Sequence, residues 1–437
     1  MPPLPPSPDT RYDVIIVGGG ASGMVAAIRA ARLGKRTLIC EKSRSPGRKL
    51  LASGGERCNL SNTLSTEEFM ERVGRDGRFM GPALALLGGD KLREFFHGIG
   101  VPTVVHDGFR VWPETRKSTA VLAGLLGEIE RLGVAMALNC EVQRTESDGR
   151  GFLVVHTEGS FCGERLILAT GGLALPRSGA SGGGYAFAER FGHKIRACFP
   201  AGVPLLTAES WPARCTAHTI GKAELQVAIK KHARIQRTGD LIFTKDGIRG
   251  PVVLDMSRDI AQLLEKHEAV PIWMNLCRGK NQEDWQKTFK EWRQEGGATV
   301  LEHLSTRLPR EIAECMCGLA DLDTTTTMRE LSGGQREALI RVLVRTPLTV
   351  TATAGYGRAF VTRGGVNLKE VRPDSLESKR RDGLYLCGEV LDLDGPCGGF
   401  NLQWAFASGY LAATSAAASL DMADAPAEIE TECGAGE

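Results

Sequence analysis

Apolar and glycine-rich segments alternate over the first forty residues in the order of a βαβ unit. An apolar run over 12–17 predicts a strand, and a glycine-rich stretch over 18–23 follows it directly. Small and apolar residues recur at helical spacing over 24–33 and predict a helix. A second apolar run over 36–40 predicts a strand that ends at Glu41. Strand, turn, helix, strand and acid together predict a Rossmann-like α/β fold that binds a dinucleotide.

The glycine-rich turn has the residues that a dinucleotide diphosphate requires. Gly18 allows a tight turn out of the strand, and Gly20 lets the diphosphate approach the backbone. Gly23 allows the helix to pack closely on the sheet. The free N–H groups at the helix start, around Ala21 and Ser22, direct partial positive charge at the phosphates. The alternative is a glycine-rich turn in an α/β protein without a cofactor, which the agreement of all the parts disfavours.

The acid at the end of the second strand bears on the choice of dinucleotide. We expect Glu41 to accept hydrogen bonds from the adenosine ribose hydroxyls, and an acid at this position disfavours the 2′-phosphate of NADP. An apolar strand over 166–170 ends at Gly171, a pattern typical of flavoproteins in which this strand returns to FAD. We therefore expect FAD contacts at Ala169, Thr170 and Gly171. An ordinary buried strand ending in a turn is the alternative. Val142 is predicted to lie on the strand that passes the adenine.

The C-terminal part of the chain contains a second strand and glycine-rich turn. The strand over 383–387 runs into Gly388-Glu389, and a stretch rich in Ala, Ser and Leu from 401 to 420 predicts a helix with Asn401 as its N-cap. The glycines at 398 and 399 are predicted to let a flat ring approach the backbone, where the positive helix end would stabilise an anionic reduced flavin. A glycine-rich loop before an ordinary helix is the alternative. The predicted contacts here are Gly388, Glu389, Gly399, Asn401 and Leu402.

The composition of the chain excludes few functions, but it sets expectations about partners, location and metal sites. The chain has 54 basic and 52 acidic residues, and a net charge of +2 provides no field to attract nucleic acid or anionic membrane, so we expect neither as a partner. No apolar run approaches the roughly 20 residues of a membrane span, and the N-terminus does not resemble a signal peptide. The 12 cysteines follow no framework, which favours reduced thiols in the cytoplasm. We expect no metal site and leave the oligomeric state open.

One motif suggests a different activity. Residues 331–335 match the signature of ABC-transporter ATPases. That signature works only beside a Walker A loop, and the chain contains no GxxxxGK[ST] sequence. We interpret the motif as a helix start, with Ser332 or the glycines after it as N-cap and a helix from Gln335 to Val344.

Four sequence blocks distributed over nearly the whole chain carry a family resemblance. They are Gly18–Met24 with Glu41-Lys42; Gly47–Asn62; Gly239–Thr244 with Gly247–Pro251; and Gly364–Gly409. In these blocks the chain resembles the bacterial BaiN/RdsA-type NAD(P)/FAD-dependent oxidoreductases. The resemblance implies an FAD domain of the two-dinucleotide-binding-domain flavoprotein type with inserted domains.

The resemblance also implies roles for single residues. Lys42 would belong to the FAD site, Arg48 and Lys49 would lie near the FAD phosphates or ribityl chain, and Cys58 and Asn59 near the isoalloxazine. A solvated basic pair is the alternative for Arg48 and Lys49, and a small buried filler is the alternative for Cys58.

The chain departs from the family pattern at two places. The usual GlyAsnGlyArgCysAsn is here Gly54-Gly55-Glu56-Arg57-Cys58-Asn59, and the usual acid before a Gly-Tyr pair is Gly183. Both segments would face the flavin or its substrate, so the resemblance defines the cofactor better than the substrate.

The family resemblance, together with the pattern of strands and helices along the chain, predicts the domain plan. We expect tails at 1–10 and 423–437 and a discontinuous FAD-binding domain over 11–193 and 351–422. A β-rich insert is predicted over 194–256 and 343–350, and a helical insert over 257–342. Because more than 150 residues cannot form a structureless loop, we expect 194–350 to form its own layers and to shape the substrate pocket.

The leading functional hypothesis is an FAD-dependent oxidoreductase acting on a small organic substrate. The resemblance implies reduction of a carbon–carbon double bond or oxidation of the substrate, with NAD(P)H as a candidate reductant. No second complete GxGxxG with a following acid is present, so NAD(P)H would approach the flavin without a domain of its own. The alternatives are a flavin-binding redox sensor or assembly protein without turnover, and a flavin enzyme acting on tRNA. No catalytic residue is assigned.

Overall fold

The computed structural model describes residues 6, 10–74, 76–147, 149–277 and 279–423. The tails predicted at 1–10 and 423–437 therefore lie almost wholly outside the described residues.

The strands follow one another along the chain as β1 (Arg11–Val17), β2 (Thr37–Cys40), β3 (Ser61–Asn62), β4 (Thr103–His106), β5 (Arg110–Pro113), β6 (Ala135–Ala137), β7 (Val142–Ser147), β8 (Phe152–His156), β9 (Gly159–Leu168), β10 (Ile195–Ala201), β11 (Leu205–Thr207), β12 (Thr219–Val227), β13 (Gln236–Thr244), β14 (Gly247–Arg249), β15 (Val270–Asn275), β16 (Thr346–Thr353), β17 (Val361–Val366) and β18 (Leu384–Leu386).

The α-helices are α1 (Ala21–Arg32), α2 (Arg48–Ala52), α3 (Thr66–Val73), α4 (Gly81–Leu87), α5 (Gly89–Gly98), α6 (Ser118–Arg131), α7 (Gly183–Arg190), α8 (Trp211–Arg214), α9 (Pro251–Leu264), α10 (Gln282–Glu295), α11 (Val300–Ser305), α12 (Arg310–Leu319), α13 (Gly333–Val344) and α14 (Phe400–Ala423). Short 3₁₀ helices lie at Gly77–Met80, Pro176–Ser178, Lys230–His232, Tyr356–Arg358, Leu368–Glu370 and Gly388–Val390.

The described residues form two compact units. The first contains the residues up to 172, then 178–197, and those from 364 onward. The second contains 173–177 and 198–363. The chain changes from one unit to the other at 172/173, 177/178, 197/198 and 363/364.

The first unit is built on a mixed sheet in the order β6-β2-β1-β9-β8-β7, with β18 also pairing with β9. The pairs β1–β2, β1–β9, β2–β6 and β9–β18 are parallel, whereas β7, β8 and β9 are antiparallel. Val17 is in register with both Cys40 and Leu168. Three parallel strands therefore end at one edge of the sheet, where the segments that follow them meet, as in other open α/β sheets that bind ligands.

Small residues bring α1 and α14 of this unit together. The buried residues of α1 include Gly23, Ala26, Ala27 and Ala30, and α14 packs along this helix. A Cβ placed on Gly409 of α14 would lie 2.2 Å from the backbone oxygen of Ser22, so only glycine fits at this crossing. Among the described residues, no helix combines the length and apolarity needed to cross a membrane.

The second unit contains a closed barrel in the order β11-β14-β13-β12-β15-β16. One hydrophobic core joins the barrel to the helices α9–α13, with Phe243, Trp285 and Met316 among its buried side chains. Strand β15 belongs to the barrel although it lies within 257–342, the range predicted to be helical. Strand β16 completes the barrel and extends past 350, so the return to the first unit comes at 363/364, later than predicted.

The interpretation of the ATPase-like motif as a helix start is confirmed. Helix α13 begins at Gly333, and the Ser332 hydroxyl accepts a 3.2 Å hydrogen bond from Gln335 N. The Gln335 side chain accepts one in return from Ser332 N, which completes a capping box.

Candidate functional site

The glycine-rich turn leaves open space in front of the first helix. Gly18 has φ +111°, and a Cβ there would lie 2.5 Å from the Ala169 oxygen. A Cβ at Gly23 would lie 1.9 Å from the Gly18 oxygen, so the helix packs against the turn as expected. A Cβ at Gly20 would meet no heavy atom within 4 Å. Since no side chain caps α1, its first N–H groups, at Ala21 and Ser22 among others, face this space.

Glu41 ties the turn to the end of the second strand. One carboxylate oxygen accepts a 2.8 Å hydrogen bond from Gly19 N, and the other accepts one of 2.8 Å from Ser43 N. Each carboxylate oxygen has a further lone pair, so the group can still accept from a ribose hydroxyl. The sequence analysis did not anticipate that this acid also holds the turn in place.

The segment after β9 joins the same edge of the sheet. Ala169 N donates to Val17 O at 2.9 Å, and Gly171 has a left-handed backbone with φ +71°. The hydroxyl of Thr170 is buried and has no hydrogen-bond partner among the described residues.

The N-terminal and C-terminal blocks meet in an ion pair. The ammonium of Lys49, on α2, contacts the carboxylate of Glu389, and both side chains are partly buried. The neighbouring Gly388 has φ +74°, and a Cβ there would lie 2.7 Å from the Ser22 hydroxyl. Gly388 N donates to Ser408 Oγ at 2.9 Å. The structure therefore brings predicted site residues from both ends of the chain together.

A second set of contacts joins β3 to the loop before α14. The Asn59 amide, in the orientation that satisfies both of its ends, donates to Ser61 O at 2.8 Å and accepts from Gly399 N at 2.9 Å. Asn62 Nδ2 donates to Gly398 O at 3.0 Å, and Ser61 Oγ donates to Gln403 Oε1 at 2.6 Å. We call these contacts the β3 clasp.

One prediction about this loop was wrong, and one residue has a further role. A Cβ on Gly399 would lie 2.3 Å from Ser61 O, so its missing side chain is also required for packing on β3. Asn401 is not the N-cap, because α14 already begins at Phe400. The Asn401 amide instead holds the loop, accepting from Gly395 N at 2.7 Å and donating to Gly395 O at 2.9 Å.

The remaining predicted residues occupy several settings. Lys42 donates to Ser181 Oγ at 2.7 Å. Arg48 is exposed at the start of α2, and Leu402 is half-buried on α14. Val142 begins β7 two residues after Cys140, whose N–H donates to Glu41 O at 2.9 Å.

Cys58 is fully buried, and burial raises the pKa of its thiol to about 12. A thiol with so high a pKa is not a nucleophile at neutral pH, which agrees with the filler alternative.

Sequence reasoning missed three polar residues of the site. Ser61, Asn62 and Gln403 are almost completely buried, and all three act in the β3 clasp. Gln403 Nε2 also donates to Leu87 O at 2.5 Å. Ser61 and Asn62 close the second sequence block, and that position was the only available signal, because their partners lie about 340 residues further along the chain.

Together these features fit FAD. The uncapped α1 start and the space at Gly20 suit a diphosphate, Glu41 suits a ribose, and the buried Thr170 hydroxyl lacks a protein partner. The fold and this edge of the sheet define a dinucleotide-binding flavoprotein.

The comparisons place the chain within a family. Residues 12–415 match the family described as HI0933-like protein Rossmann domain, and the chain belongs to this family. It is 34% identical over 405 residues to the 3-dehydro-bile acid delta(4,6)-reductase of Clostridium scindens, covering 92% of this chain and 98% of that protein. It is 30% identical over 413 residues to the ribosomal RNA dihydrouridine synthase of Escherichia coli, covering 92% and 97%. The chain is an FAD-dependent oxidoreductase, as predicted.

Solved structures support the fold. The 3-ketosteroid delta1-dehydrogenase of Sterolibacterium denitrificans, solved with 1,4-androstadiene-3,17-dione, superposes with a TM-score of 0.53 over 94% of this chain and 100% of that one, at 14% identity. The predicted α/β class, a Rossmann-like FAD-binding fold with inserts, is thereby confirmed.

Proposed function

We propose that the protein reduces a carbon–carbon double bond conjugated to a carbonyl group, in a small organic substrate, with NAD(P)H as the reductant. The overall change would be NAD(P)H plus a proton plus the unsaturated carbonyl compound, giving NAD(P)⁺ and the saturated carbonyl compound. Bound FAD supplies the two-electron carrier between the two.

The observation that carries this proposal is the chemistry shared by the two relatives. One is named as a reductase of a 3-dehydro compound at its delta-4,6 positions, and the other as a synthase of dihydrouridine. In each reaction two hydrogens are added across a carbon–carbon double bond that is conjugated to a carbonyl group. Both relatives match over 92% of this chain, so both cofactor blocks are included.

The described residues support this role by how they would hold FAD. The α1 start and Glu41 would bind the ADP half, and Lys49 with Glu389 would bind further along the cofactor. The site residues keep the roles predicted for them, as proposals, except that Asn401 is not an N-cap. That 194–350 shapes the substrate pocket also stays a prediction.

The test is anaerobic reduction of the purified flavoprotein by NADH and by NADPH, followed by mixing with 3-oxo-Δ4 and 3-oxo-Δ4,6 steroids. We expect the flavin absorbance to bleach with one nucleotide and to return when the dienone is added, with a product heavier by 2 mass units. A flavin that the nucleotides reduce but no unsaturated carbonyl compound reoxidises would contradict the proposed substrate class.

A second candidate substrate is uridine in RNA. Its support is the match to the dihydrouridine synthases of Escherichia coli and Haemophilus influenzae, at 30% and 29% identity. The near-neutral charge of the chain argued against nucleic acid, and that expectation stays open. Digestion of treated ribosomal RNA to nucleosides and mass spectrometry for dihydrouridine would separate the two substrates.

A further inference from the structure

Three arginines of the first unit lie against aromatic rings around β5. The guanidinium carbons of Arg57 and Arg116 lie 5.2 and 4.8 Å from the centroid of the Trp112 ring. That of Arg110 lies 5.6 Å from the centroid of Phe109. Arg110 and Trp112 are two residues apart on one strand, so they lie on the same face. We call these five residues the arginine–aromatic cluster.

The arginines are available for a ligand. Arg57 is exposed, and Arg110 and Arg116 are half-buried. In the part of the chain that the structure describes, no carboxylate is paired with any of the three, although the unit contains ion pairs elsewhere, such as Arg32 with Glu128. Arg57 Nε donates to Gly54 O at 3.3 Å. Three guanidinium groups held against aromatic rings, none of them paired with a described carboxylate, favour an anion as their partner.

The backbone holds the cluster in one place. Ser118 N donates to Glu56 O at 2.8 Å, and Ser118 Oγ donates to Leu51 O at 2.8 Å. These bonds fix the loop carrying Arg57 to the turn carrying Arg116. Arg116 has φ +54° and Glu56 has φ +66°, both in the left-handed region that favours glycine. Non-glycine residues held in this conformation occur preferentially at ligand sites.

The ring at the centre of the cluster has an unpaired polar atom. Trp112 is 4% exposed, and its indole Nε1 is buried without a hydrogen-bond partner among the described residues. A buried N–H without a partner costs free energy unless a ligand or water accepts from it. This second observation is independent of the arginines.

The cluster adjoins the loop proposed to lie at the flavin end of FAD. A Cβ on Gly398 would lie 3.2 Å from the Phe109 ring. Asn62, paired in register with Arg110, donates to Gly398 O at 3.0 Å. A ligand bound to the cluster is therefore within one loop of the β3 clasp.

We propose that the arginine–aromatic cluster binds the diphosphate of NAD(P)H. Guanidinium groups bind phosphate oxygens in pairs of hydrogen bonds, and the rings beneath them hold the three groups in place. The chain has no second GxGxxG turn followed by an acid, so a second turn of that type is not available to the reductant. The inference rests on the proposed function, in which NAD(P)H is the reductant.

Glu56 provides a test in the opposite direction within the same loop. It is exposed and is the only acid between 53 and 58, beside Arg57. Its carboxylate reduces the positive charge that a diphosphate would meet. Glu56→Gln should therefore tighten nucleotide binding about twofold to threefold.

The experiment measures equilibrium binding of NADP⁺ and NAD⁺ to the FAD-loaded protein by calorimetry. We expect Arg57→Gln and Arg116→Gln each to raise Kd about tenfold, as the loss of one charge-assisted hydrogen bond predicts. Arg345→Gln is the matched control, because Arg345 lies 4.7 Å over Trp273 in the second unit. It should bind like the wild type. FAD content and the midpoint of thermal unfolding should remain at wild-type values in all variants.

If the glutamine variants lose FAD or unfold, Arg57→Lys and Arg116→Lys decide the question, since lysine keeps the charge but not the paired geometry. Intermediate Kd values would support the site, and wild-type Kd values would overturn it. Displacement of NADP⁺ is also measured with a short uridine-containing RNA. The proposal would be overturned in favour of RNA phosphates if RNA binding depended on these arginines while the binding of NAD⁺ and NADP⁺ did not.

A donor that bypasses the cluster separates this inference from the proposed function. With reduced methyl viologen as electron donor, the arginine variants should lose a much smaller factor in dienone reduction than they lose with NAD(P)H. If viologen supports reduction in the wild type but neither nucleotide reduces its flavin, both the proposed reductant and this inference fail. If no donor supports dienone reduction but nucleotides still bind through the arginines, only the proposed substrate fails.

Discussion

Glu41 illustrates how one side chain serves both the fold and the cofactor. Its two oxygens hold the N–H groups of Gly19 and Ser43, on either side of the ribose position proposed above. We expect Glu41→Ala to weaken FAD binding by roughly 1.5–3 kcal/mol, the range for a charge-assisted hydrogen bond. Glu41→Gln keeps one acceptor oxygen and should lose less of the free energy of FAD binding. Fluorescence titration of the apoprotein with FAD measures both, and equal dissociation constants for wild type and alanine variant would rule out a ribose contact.

Glu56 presents the opposite case, a residue in a conformation that suits glycine. Its φ of +66° costs an L-residue roughly 1 kcal/mol relative to glycine. Glu56→Gly should therefore raise the free energy of unfolding by about that amount, whereas Glu56→Ala keeps the strain and should not. Denaturant unfolding followed by flavin fluorescence compares the two. A glycine variant no more stable than the alanine variant would show that the loop relaxes the strain elsewhere.

Residue types and spacing could predict the contacts that are local in sequence. Gly18, Gly20 and Gly23 act as the turn pattern required, because a strand–turn–helix unit is defined within six residues. Asn401 and Gly399 could not be predicted in the same way. Their partners, Gly395 and Ser61, depend on the loop path and on a strand far away in the chain.

At the scale of elements, the β3 clasp joins a two-residue strand to the start of the longest helix. Gly399→Ala would place a methyl group 2.3 Å from Ser61 O and should force these elements apart. We expect loss of bound FAD and a lower midpoint of thermal unfolding. Gly34→Ala is the control, because Gly34 also has a positive φ, of +76°, but a Cβ there meets nothing within 4 Å. It should cost only about 1 kcal/mol and keep FAD.

If Gly34→Ala and Gly399→Ala behave alike, the clasp is not what makes Gly399 necessary.

Element types were predictable where the pattern was strong, as in β1, α1 and α13. The barrel strand β15 was missed because it lies between charged, helix-like segments, and its pairing with β12 and β16 is decided by the barrel as a whole.

For the molecule as a whole, a buried histidine makes stability depend on pH. His193 Nε2 lies 2.8 Å from Ser378 Oγ, and its Nδ1 lies 3.5 Å from Glu370. Burial lowers the pKa of His193 despite this carboxylate. The folded protein thus keeps this ring neutral where the unfolded chain, with a pKa of about 6.5, takes up a proton. Stability contributed by His193 is present above pH 6.5 and is lost as the pH falls below it.

We therefore expect the free energy of unfolding to fall as the pH drops below about 6.5, where the unfolded chain takes up a proton that the folded protein does not. His193→Gln should be less stable at pH 7.5 but should show a shallower slope. Urea unfolding at several pH values measures how the free energy of unfolding changes with pH. His106→Gln is the control at an exposed position. Equal slopes in wild type and His193→Gln would assign the pH dependence to other groups.

The pairing of Lys49 with Glu389 also has a consequence during synthesis of the chain. The ribosome makes the βαβ unit first, but the acid that meets Lys49 follows 340 residues later, and α14, which covers α1, comes later still. Until that helix emerges, the part of α1 that α14 covers has no partner, and the half of the cofactor site that contains Glu389 does not exist. Cofactor loading is therefore a late event, and a chain broken off before α14 cannot be rescued by added FAD.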